Sequence, residues 1–504
     1  MAGAFGTSIG PKLSRFLLEM PPKGKTSQAP VEISLVTGKP KIVRSTAGRE
    51  EAKRAAKMTR QQWLSFQTEP WNKKWPKPEY MNEKVEVFYV RDGGQGAYRD
   101  RTYEIVTRWE EKTRIAYRPH AKAPGSKSHV RYERYSQAKT VGEALKLGSY
   151  PLDWCHDYEH GFIKVYGPVR DEPIDVSKVE EGQQLTDVDR TISNWFRREL
   201  AKRYNLKIKD LLLERGSGES VIMRAHRLVA DRAAGAHLEA ADREGRVISD
   251  EEVREMLATW AFAKNPNRQN VLPDGHDWVW SDTLGLLRDR HGDIHLTQPT
   301  LRYPRVTQLL CRWLRDRLPD EVASFKFTSL NLNCNYAAKR HRDGNNFGPS
   351  MIKAFGDFSG GELNVFPEDD KSKALELLRA KDKVKLDIKA NLAMFNGNSA
   401  HEVESFEGQR FSVVYFVLGC HTKAKSEDLL SLAKLGLPLP AANEDPYALL
   451  RRPRCSPTGR ANGLPVLRSW PCAALQQTRR LPCKVGTACK VRKVCKLKRR
   501  AQHR

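Results

Sequence analysis

Two motifs in the last third of the sequence contain side chains that can bind a metal ion. His341 and Asp343 stand two residues apart in "NYAAKRHRDGNN", directly after a segment that alternates as a strand does. His401 follows 58 residues after Asp343, at the end of the predicted strand in "ANLAMFNGNSAH". Residues two apart on a strand share a face, and two imidazoles with one carboxylate on one face can hold non-heme iron. The pattern therefore predicts that His341, Asp343 and His401 are metal ligands.

A His-x-Asp pair is a weak signal by itself, because the chain has 13 histidines and such a pair arises by chance. His291 and Asp293, in "LLRDRHGDIHL", form a second pair, which follows a helical pattern and has no downstream partner. His341 and Asp343 can alternatively cap a turn, and His401 can be a core histidine. The residues that follow His401 bear on the choice.

The strand after His401 contains a candidate anion site. Arg410 and Ser412 begin "RFSVVYF" and share one face of it. A guanidinium binds a carboxylate through two hydrogen bonds, and the serine hydroxyl can donate a third. The open positions of the metal suit a 2-oxo acid and dioxygen, and a second carboxylate on that acid would require a cation such as Arg410. Two points remain open: Tyr336 either contacts this cosubstrate or packs in the core, and Arg410 can be a structural ion-pair partner.

Short predicted strands surround these residues and indicate the fold class. Strand patterns separated by turn residues occur in "SFKFTSLNLNCNY", "PSMIKAFG", "GGELNVFP", "DKVKLDI" and "QRFSVVYFVLG", with one predicted helix in "KSKALELLRA". This spacing is typical of a jelly roll. We therefore expect an α+β protein in which residues 275–425 form a C-terminal double-stranded β-helix (jelly roll) with flanking helices, preceded by β-rich and helical regions.

The order His-x-Asp, His, Arg-x-Ser resembles the Fe(II)/2-oxoglutarate-dependent dioxygenases over about Val322 to Cys420. The resemblance implies that the triad holds Fe(II) and that Arg410 and Ser412 bind the far carboxylate of 2-oxoglutarate. Dioxygen would be the co-reactant and ascorbate a supporting reductant. The implied activity is that of an oxidoreductase, which converts 2-oxoglutarate to succinate and carbon dioxide while it hydroxylates a C–H bond.

Within that superfamily, "FTSLNLNCNYAAKRHRDGNN" is most similar to the branch of the ten-eleven-translocation and base J-binding proteins (TET/JBP). In that branch polar side chains near the iron help to hold a flipped-out pyrimidine, which implies a substrate contact for Asn346 and a methylated pyrimidine in nucleic acid as substrate. The chain lacks a recognisable cysteine-rich zinc module before the barrel, so DNA as the substrate stays open. Two other functions also stay open: hydroxylation of a protein side chain, as by prolyl and lysyl hydroxylases, and non-catalytic nucleic-acid binding by a retained barrel.

The formal charge of +26 is unevenly distributed. Residues 446–504 contain sixteen Lys or Arg and no Asp or Glu, which leaves +10 for residues 1–445. A polycation attracts DNA or RNA by counterion release, without reading sequence. The segment "KVRKVCKLKRR" at 490–500 also matches the pattern of a nuclear address. We expect an intracellular, nuclear protein, with organelle import as the alternative suggested by the basic and apolar amino terminus.

Composition divides the rest of the chain into regions. Residues 1–80 predict a flexible basic lead-in, 81–170 with "VEVFYV" and "TYEIVTRW" a β-rich region, and 187–263 a helical region with Ser249 as a cap. The tail, 446–504, is expected to be disordered and contains five of the nine cysteines. No segment approaches the roughly 20 apolar residues of a membrane span, so no membrane partner is expected.

Overall fold

The structure is a computed structural model that describes residues 58–82, 98–179, 182, 184–214, 217–441 and 443–451. It also gives the backbone of three short strands beyond them: Glu32–Ile33, Pro40–Lys41 and Arg468–Pro471. Most of the predicted lead-in lies outside the described residues. The same is true of most of the predicted tail, including its cysteines and the basic segment 490–500.

The described residues form an α+β protein with antiparallel sheets. The helices are α1 (Arg60–Ser65), α2 (Glu69–Lys74), α3 (Asp100–Val106), α4 (Lys127–Tyr135), α5 (Val141–Lys146), α6 (Pro151–Glu159), α7 (Asp187–Arg203), α8 (Val221–Glu244), α9 (Asp250–Thr259), α10 (Gln298–Arg302), α11 (Pro304–Arg315) and α12 (Ser426–Lys434). None of these described helices has both the length and the apolar character that crossing a lipid bilayer requires.

The strands cluster in the second half of the chain. They are β1 (Trp109–Tyr117), β2 (Ile163–Val169), β3 (Lys264–Asn265), β4 (Val279–Arg288), β5 (Ile294–Leu296), β6 (Ser329–Cys334), β7 (Ser350–Phe355), β8 (Phe358–Gly360), β9 (Leu363–Val365), β10 (Val384–Leu386), β11 (Asn391–Phe395), β12 (His401–Val403), β13 (Phe406–Gly408) and β14 (Phe411–Phe416). Where the sequence predicts a helix in "KSKALELLRA", the structure has two short 3₁₀ turns, Leu375–Leu377 and Ala380–Asp382.

The region 81–170, predicted to be β-rich, contains four helices, α3 to α6, and only the paired strands β1 and β2 among its described residues. The pattern in "TYEIVTRW" suits a strand, but Tyr103 and Val106 lie three residues apart and are both buried on α3. That spacing places them on one face of a helix, so packing decides the structure against local β preference. The strand pattern at 85–90 lies outside the described residues.

Residues 187–263 fold into α7, α8 and α9. Ser249, the predicted cap, accepts a hydrogen bond from the Glu252 N–H at 3.1 Å, and Glu252 accepts one from the Ser249 N–H at 2.7 Å. This reciprocal capping satisfies two otherwise unpaired donors at the start of α9. Helix α8 connects two hydrophobic cores, since its first half packs with α3 to α7 and its second half with α9, α11 and the large sheet.

The large sheet provides one wall of the candidate site. Its strands run in the order β11-β7-β14-β6-β4-β3, with β5 paired to β4 and Arg468–Pro471 paired to β11. A smaller sheet has the order β10-β9-β12, and β8 pairs with β13. A third hydrophobic cluster contains Ile352 and Ala393 of the large sheet together with Leu363 and Leu386 of the smaller one, so the two sheets pack against each other.

Side-chain alternation gives the large sheet one face that packs on the helices and one face toward the smaller sheet, which contains polar residues. On β6, Leu330 and Leu332 join the core that includes α8, α9 and α11, whereas Asn331 and Asn333 point to the opposite face. On β14, Val413 and Tyr415 pack on the helices in the same way. The alternate residues of both strands, among them Asn331, Asn333 and Ser412, therefore line a cavity between the sheets.

A buried ion pair joins the helices to the large sheet. The Asp282 carboxylate on β4 accepts two hydrogen bonds from Arg227 Nη2, both at 2.8 Å, and one from Trp260 Nε1 at 3.0 Å. We expect Asp282→Ala to lower the free energy of unfolding by about 3–5 kcal/mol, because it leaves a buried guanidinium without this partner. Urea unfolding followed by circular dichroism measures the loss.

The exposed pair Arg312–Asp242, 2.7 Å apart, supplies the control for that experiment. The Asp242 side chain is 65% exposed, so Asp242→Ala should cost less than about 1 kcal/mol. Equal losses for the two variants would contradict a structural role for the buried pair.

Candidate metal centre

The two candidate histidines face each other across an antiparallel pairing. The His341 N–H donates to the His401 carbonyl at 2.9 Å, and the His401 N–H donates to the His341 carbonyl at 3.0 Å. Side chains directly opposite each other in such a pair lie on the same face. The imidazole centroids are accordingly 4.1 Å apart, and both residues are 5% exposed.

Asp343 joins them because it stands two residues after His341 on the same face. Its N–H donates to the Gly397 carbonyl at 2.9 Å, which fixes the backbone beside the loop that leads to His401. One carboxylate oxygen lies 3.5 Å from His341 Nε2 and the other 3.8 Å from His401 Nε2. Ligands at about 2.1 Å from one metal lie roughly 3 Å apart when at right angles, so the three ligand atoms, all within 4.8 Å of one another, need to move closer together to bind one ion.

A hydrogen bond holds each imidazole in the orientation that a metal ligand needs. Nδ1 of His341 lies 2.6 Å from the Lys339 carbonyl, and Nδ1 of His401 lies 2.9 Å from the Ser399 carbonyl. A carbonyl only accepts, so each Nδ1 carries the hydrogen and each Nε2 keeps its lone pair. Both Nε2 atoms lie close to the Asp343 carboxylate, at 3.5 and 3.8 Å from its oxygens.

Electrostatics favour the ionisation states that bind metal. Burial, followed by the adjacent His341, lowers the pKa of His401 to about 4. Burial alone would raise the pKa of Asp343, but the neighbouring His341 and then His401 hold it below its ordinary value. At neutral pH the site therefore presents a neutral His401 imidazole and an ionised Asp343 carboxylate, the forms that coordinate metal.

Asn346 contacts the candidate ligand Asp343 in this structure. Its Nδ2 donates to Asp343 Oδ2 at 2.8 Å and lies 3.3 Å from Ser350 Oγ, while Asn398 donates to its backbone carbonyl at 3.0 Å. The sequence predicts a substrate contact for Asn346, and the structure adds a hydrogen bond that orients the carboxylate. Both roles are compatible, because the Oδ1 atom takes no part in these bonds.

Gly397 leaves the space that Asp343 and Asn346 occupy. A Cβ atom at this position would lie 2.9 Å from Asn346 Nδ2 and 3.0 Å from Asp343 Oδ2. We expect Gly397→Ala to displace the carboxylate and to raise the metal dissociation constant by about 10- to 100-fold, as loss of a ligand's supporting contact does. Calorimetric titration with Mn(II) measures the change.

Gly344→Ala is the matched control, because a Cβ at Gly344 would meet no heavy atom within 4 Å although the residue adjoins Asp343. It should bind metal as the unaltered protein does. Unchanged metal affinity in Gly397→Ala, with the fold retained, would contradict the described packing around the carboxylate.

Arg410 is a buried cation without a described acidic partner. It is 2% exposed, and neither Nε nor Nη2 has a hydrogen-bond partner among the described residues. Its guanidinium carbon lies 5.6 Å from the Phe358 ring and 5.5 Å from the Phe406 ring. Burial lowers the pKa of Arg410 to about 10, so the group stays charged at neutral pH. An unpaired buried charge is costly, and a bound anion would relieve that cost.

Two polar residues on β6, which the sequence motifs did not predict, lie beside the other predicted site residues. One of them, Asn333, contacts two of those residues. Asn333 Nδ2 lies 3.3 Å from Ser412 Oγ, and Tyr336 Oη donates to Asn333 Oδ1 at 2.6 Å. Asn331 occupies the same face and also lines the cavity. The alternation in "SLNLNC" could have revealed both asparagines, since the leucines between them predict the buried face.

One cavity of about 100 Å³ contains all seven predicted site residues in its lining. Those residues are Tyr336, His341, Asp343, Asn346, His401, Arg410 and Ser412. Apolar side chains complete the walls: Ile352, Leu363, Phe395, Val403, Val414 and Phe416. Arg268 also lines the cavity. The sequence did not predict this, because Arg268 lies in an irregular segment far from the motifs.

The pair His291–Asp293 does not form a comparable site. It occupies the hairpin between β4 and β5, and both backbone N–H groups donate to Asp289 Oδ1, at 2.8 and 3.0 Å. Within the described part of the chain, the triad of His341, Asp343 and His401 is the single group of three or more metal-binding side chains, with ligand atoms within 4.8 Å of one another.

The side chains present fit a divalent ion and a dicarboxylic cosubstrate. Two imidazole nitrogens and one carboxylate form a donor set suited to Fe(II) that leaves coordination positions free. The two unpaired nitrogens of Arg410 fit a carboxylate in the same cavity.

No protein-family model matches this chain, and no curated protein sequence matches it significantly. Solved structures do match. "NgTET1 in complex with 5mC DNA" is 19% identical and aligns with 31% of this chain and 68% of its own, with a TM-score of 0.20. A 2OG-Fe(II) oxygenase family oxidoreductase from Burkholderia pseudomallei is 16% identical over 33% of this chain and 75% of its own, with a TM-score of 0.23.

A third solved structure is a prolyl hydroxylase from Trichoplax adhaerens in complex with a hypoxia inducible factor oxygen degradation domain peptide fragment. It is 15% identical and covers 39% of this chain and 94% of its own, with a TM-score of 0.21.

Proposed function

We propose that the chain is an Fe(II)- and 2-oxoglutarate-dependent dioxygenase that hydroxylates a C–H bond. The observation that carries the proposal is the presence, in one cavity, of a buried His-Asp-His triad and a buried guanidinium without a described partner. A structural ion pair would have provided Arg410 with a carboxylate. The arrangement is the one expected when a small dicarboxylate joins the metal to the arginine.

Each residue has a defined task in this proposal. His341, Asp343 and His401 hold Fe(II), and Asn346 orients the Asp343 carboxylate through its 2.8 Å hydrogen bond. Arg410 and Ser412 bind the far carboxylate of 2-oxoglutarate, and Tyr336 positions the Asn333 amide that contacts Ser412. The rings of Phe358 and Phe406 flank the guanidinium and exclude water from it.

Bound Fe(II) with 2-oxoglutarate and dioxygen supplies an oxidative decarboxylation, in which one oxygen atom enters succinate and the other enters the substrate as a hydroxyl group, with release of carbon dioxide. The protein orders the reactants and keeps the cavity dry. The apolar walls formed by Ile352, Leu363 and Phe395 serve the second task. A dry cavity strengthens the charge pairing between Arg410 and the cosubstrate.

For the substrate we propose a methylated pyrimidine in nucleic acid. The Asn346 amide beside Asp343 supports this proposal, since an amide can hydrogen-bond the edge of a base. The excess of Lys and Arg over Asp and Glu, 87 against 61, supports a polyanionic partner.

Succinate formation from 2-oxoglutarate, with Fe(II) and ascorbate, tests the proposal across pools of methylated DNA, methylated RNA and peptides. We expect stimulation by one of the nucleic-acid pools. Stimulation by peptides alone would assign the site to protein hydroxylation. No succinate in any pool would favour a binding protein that retains the barrel.

A further inference from the structure

Arg268 is a second guanidinium in the cavity for which the structure shows no acidic partner. It lies between β3 and the 3₁₀ turn Gln269–Val271, and it contributes to the same lining as the triad. No described side chain forms an ion pair or a hydrogen bond with it. Its role is not explained by the metal or by 2-oxoglutarate as assigned above.

The neighbouring arginines show that this lack of a partner is specific. Arg340 lies 2.9 Å from Glu402, and Arg342 lies 2.6 Å from Asp369. Those two residues flank His341 in sequence, and each has a carboxylate to neutralise it. Arg268 and Arg410 are thus the two arginines of the cavity lining, and both lack such a partner among the described residues.

Backbone pairing separates the positions of these two cations. Asn335 pairs with Arg410 at the start of β14, and Asn346 pairs with Leu418 just beyond its end. His341 and Asp343 lie on the segment between these two pairings. The turn that follows Arg268 is held near the triad, because the Val271 carbonyl accepts a hydrogen bond from the Lys339 N–H at 3.3 Å, two residues before His341. The segment that contains Arg268 is therefore anchored close to His341, whereas the backbone of Arg410 is anchored at Asn335.

The exposure of the segment indicates what Arg268 can bind. Arg268 is half-buried, and the residues on either side of it are exposed: Pro266, Asn267, Gln269 and Asn270. A small dicarboxylate held between the metal and Arg410 would be enclosed. A group bound by Arg268 lies at the mouth of the cavity, so it can belong to a ligand that continues into solvent, as a polymer does.

Asn331 adds a second unsatisfied group that points into the cavity. It is 8% exposed, and its Oδ1 accepts hydrogen bonds from Ser281 and Thr283 at 3.2 and 3.4 Å. No described residue accepts a hydrogen bond from its Nδ2, so this donor in the cavity lining is available to a ligand. A donor of this kind suits the carbonyl of a base, and a guanidinium suits a phosphate bidentately.

We propose that Arg268 binds a backbone phosphate next to the oxidised pyrimidine, so that the site accepts a nucleotide within a strand in preference to a free nucleoside. This inference rests on the proposed function and specifies its substrate. The phosphate positions the strand at the mouth, and the base enters the cavity toward Asn331 and Asn346. Phosphate contacts of this kind position a nucleic acid without reading its sequence.

Binding of a single-stranded oligonucleotide with one 5-methylcytosine tests the proposal without turnover. The full chain is loaded with Mn(II) and 2-oxoglutarate, and fluorescence anisotropy gives the dissociation constant. We expect Arg268→Gln to weaken binding about tenfold, in line with one charge-assisted contact, and Arg268→Lys to recover part of it. Arg290→Gln, which removes an exposed charge on the β4–β5 hairpin, should have a smaller effect that does not depend on the methylated base.

Neutral methylphosphonate linkages, placed one at a time, identify the phosphate. In the unaltered protein one linkage beside the 5-methylcytosine should weaken binding, and in Arg268→Gln the same linkage should have no further effect, because the contact is already lost. Additive losses at every linkage, or unchanged affinity in Arg268→Gln, would overturn the proposal. An Arg268-dependent affinity for an acidic peptide, with none for the oligonucleotide, would overturn it as well.

The affinity for 2-oxoglutarate separates this inference from the proposed function. We expect Arg268→Gln to bind 2-oxoglutarate and Mn(II) as the unaltered protein does. A weaker 2-oxoglutarate affinity with unchanged oligonucleotide binding would assign Arg268 to the cosubstrate and reject the phosphate contact. If the unaltered protein binds neither Mn(II) nor 2-oxoglutarate, the proposed function fails, whatever the oligonucleotide result.

Discussion

Asp343→Ala should abolish metal-dependent turnover and raise the metal dissociation constant by at least about 100-fold. Asp343 provides the only carboxylate of the described triad, and its oxygens lie 3.5 and 3.8 Å from the two Nε2 atoms. Removing a direct ligand costs more than the 10- to 100-fold loss typical of a supporting contact. Calorimetry with Mn(II) and succinate formation with Fe(II) measure the two effects separately.

Asp293→Ala is the control, because Asp293 belongs to the exposed His-x-Asp pair on the β4–β5 hairpin. It should leave metal binding and turnover unchanged. Asn346→Ala should give an intermediate loss, since it removes the hydrogen bond to the Asp343 carboxylate but no ligand. Near-normal turnover in Asp343→Ala would show that the triad does not hold the catalytic metal.

Arg410→Met should weaken 2-oxoglutarate binding by about 100-fold or more while metal binding persists. A bidentate pair of charge-assisted hydrogen bonds contributes several kcal/mol, and about 2.7 kcal/mol corresponds to 100-fold. Met keeps much of the length of the side chain between Phe358 and Phe406 and removes the charge. Titration of 2-oxoglutarate into the Mn(II)-loaded protein measures the affinity.

The same variant has a second expected effect that a purely structural arginine would not show. Arg410 is buried, and two of its nitrogens have no partner among the described residues. Arg410→Met should therefore leave the ligand-free protein at least as stable as before, since burying a well-packed apolar side chain costs less than burying an unpaired charge. Ser412→Ala, which removes a single neutral donor, should weaken 2-oxoglutarate binding only about tenfold. Strong destabilisation of Arg410→Met with unchanged 2-oxoglutarate affinity would show that the guanidinium supports the fold and not the cosubstrate.

The spacing of the motifs was sufficient to find the candidate site. His341 and Asp343 share a face because they are two residues apart, and Arg410 and Ser412 share one for the same reason. The sequence could not show that His341 and His401 pair directly in an antiparallel bridge, since that depends on register. It also could not separate this pair from His291 and Asp293 except through their downstream partners.

Other features depend on tertiary packing and were missed or misinterpreted. Tyr103 and Val106 suit a strand locally, yet they are buried on a helix because α3 packs against the rest of its core. Arg268 lies 73 residues before His341 in a segment without periodicity, so only the fold brings it to the cavity. The position of Asn331 in the cavity could not be predicted, because the sequence does not show which face of β6 meets the second sheet.

The most direct test of the account is an anaerobic titration of the metal-free protein with Fe(II), followed by 2-oxoglutarate. We expect the protein to bind one metal ion per chain and to bind 2-oxoglutarate only when both the metal and Arg410 are present. Neither Asp343→Ala nor Arg410→Met should therefore bind 2-oxoglutarate tightly. If the iron-loaded protein did not bind 2-oxoglutarate, or bound it equally well in both variants, the proposed dioxygenase site would be wrong.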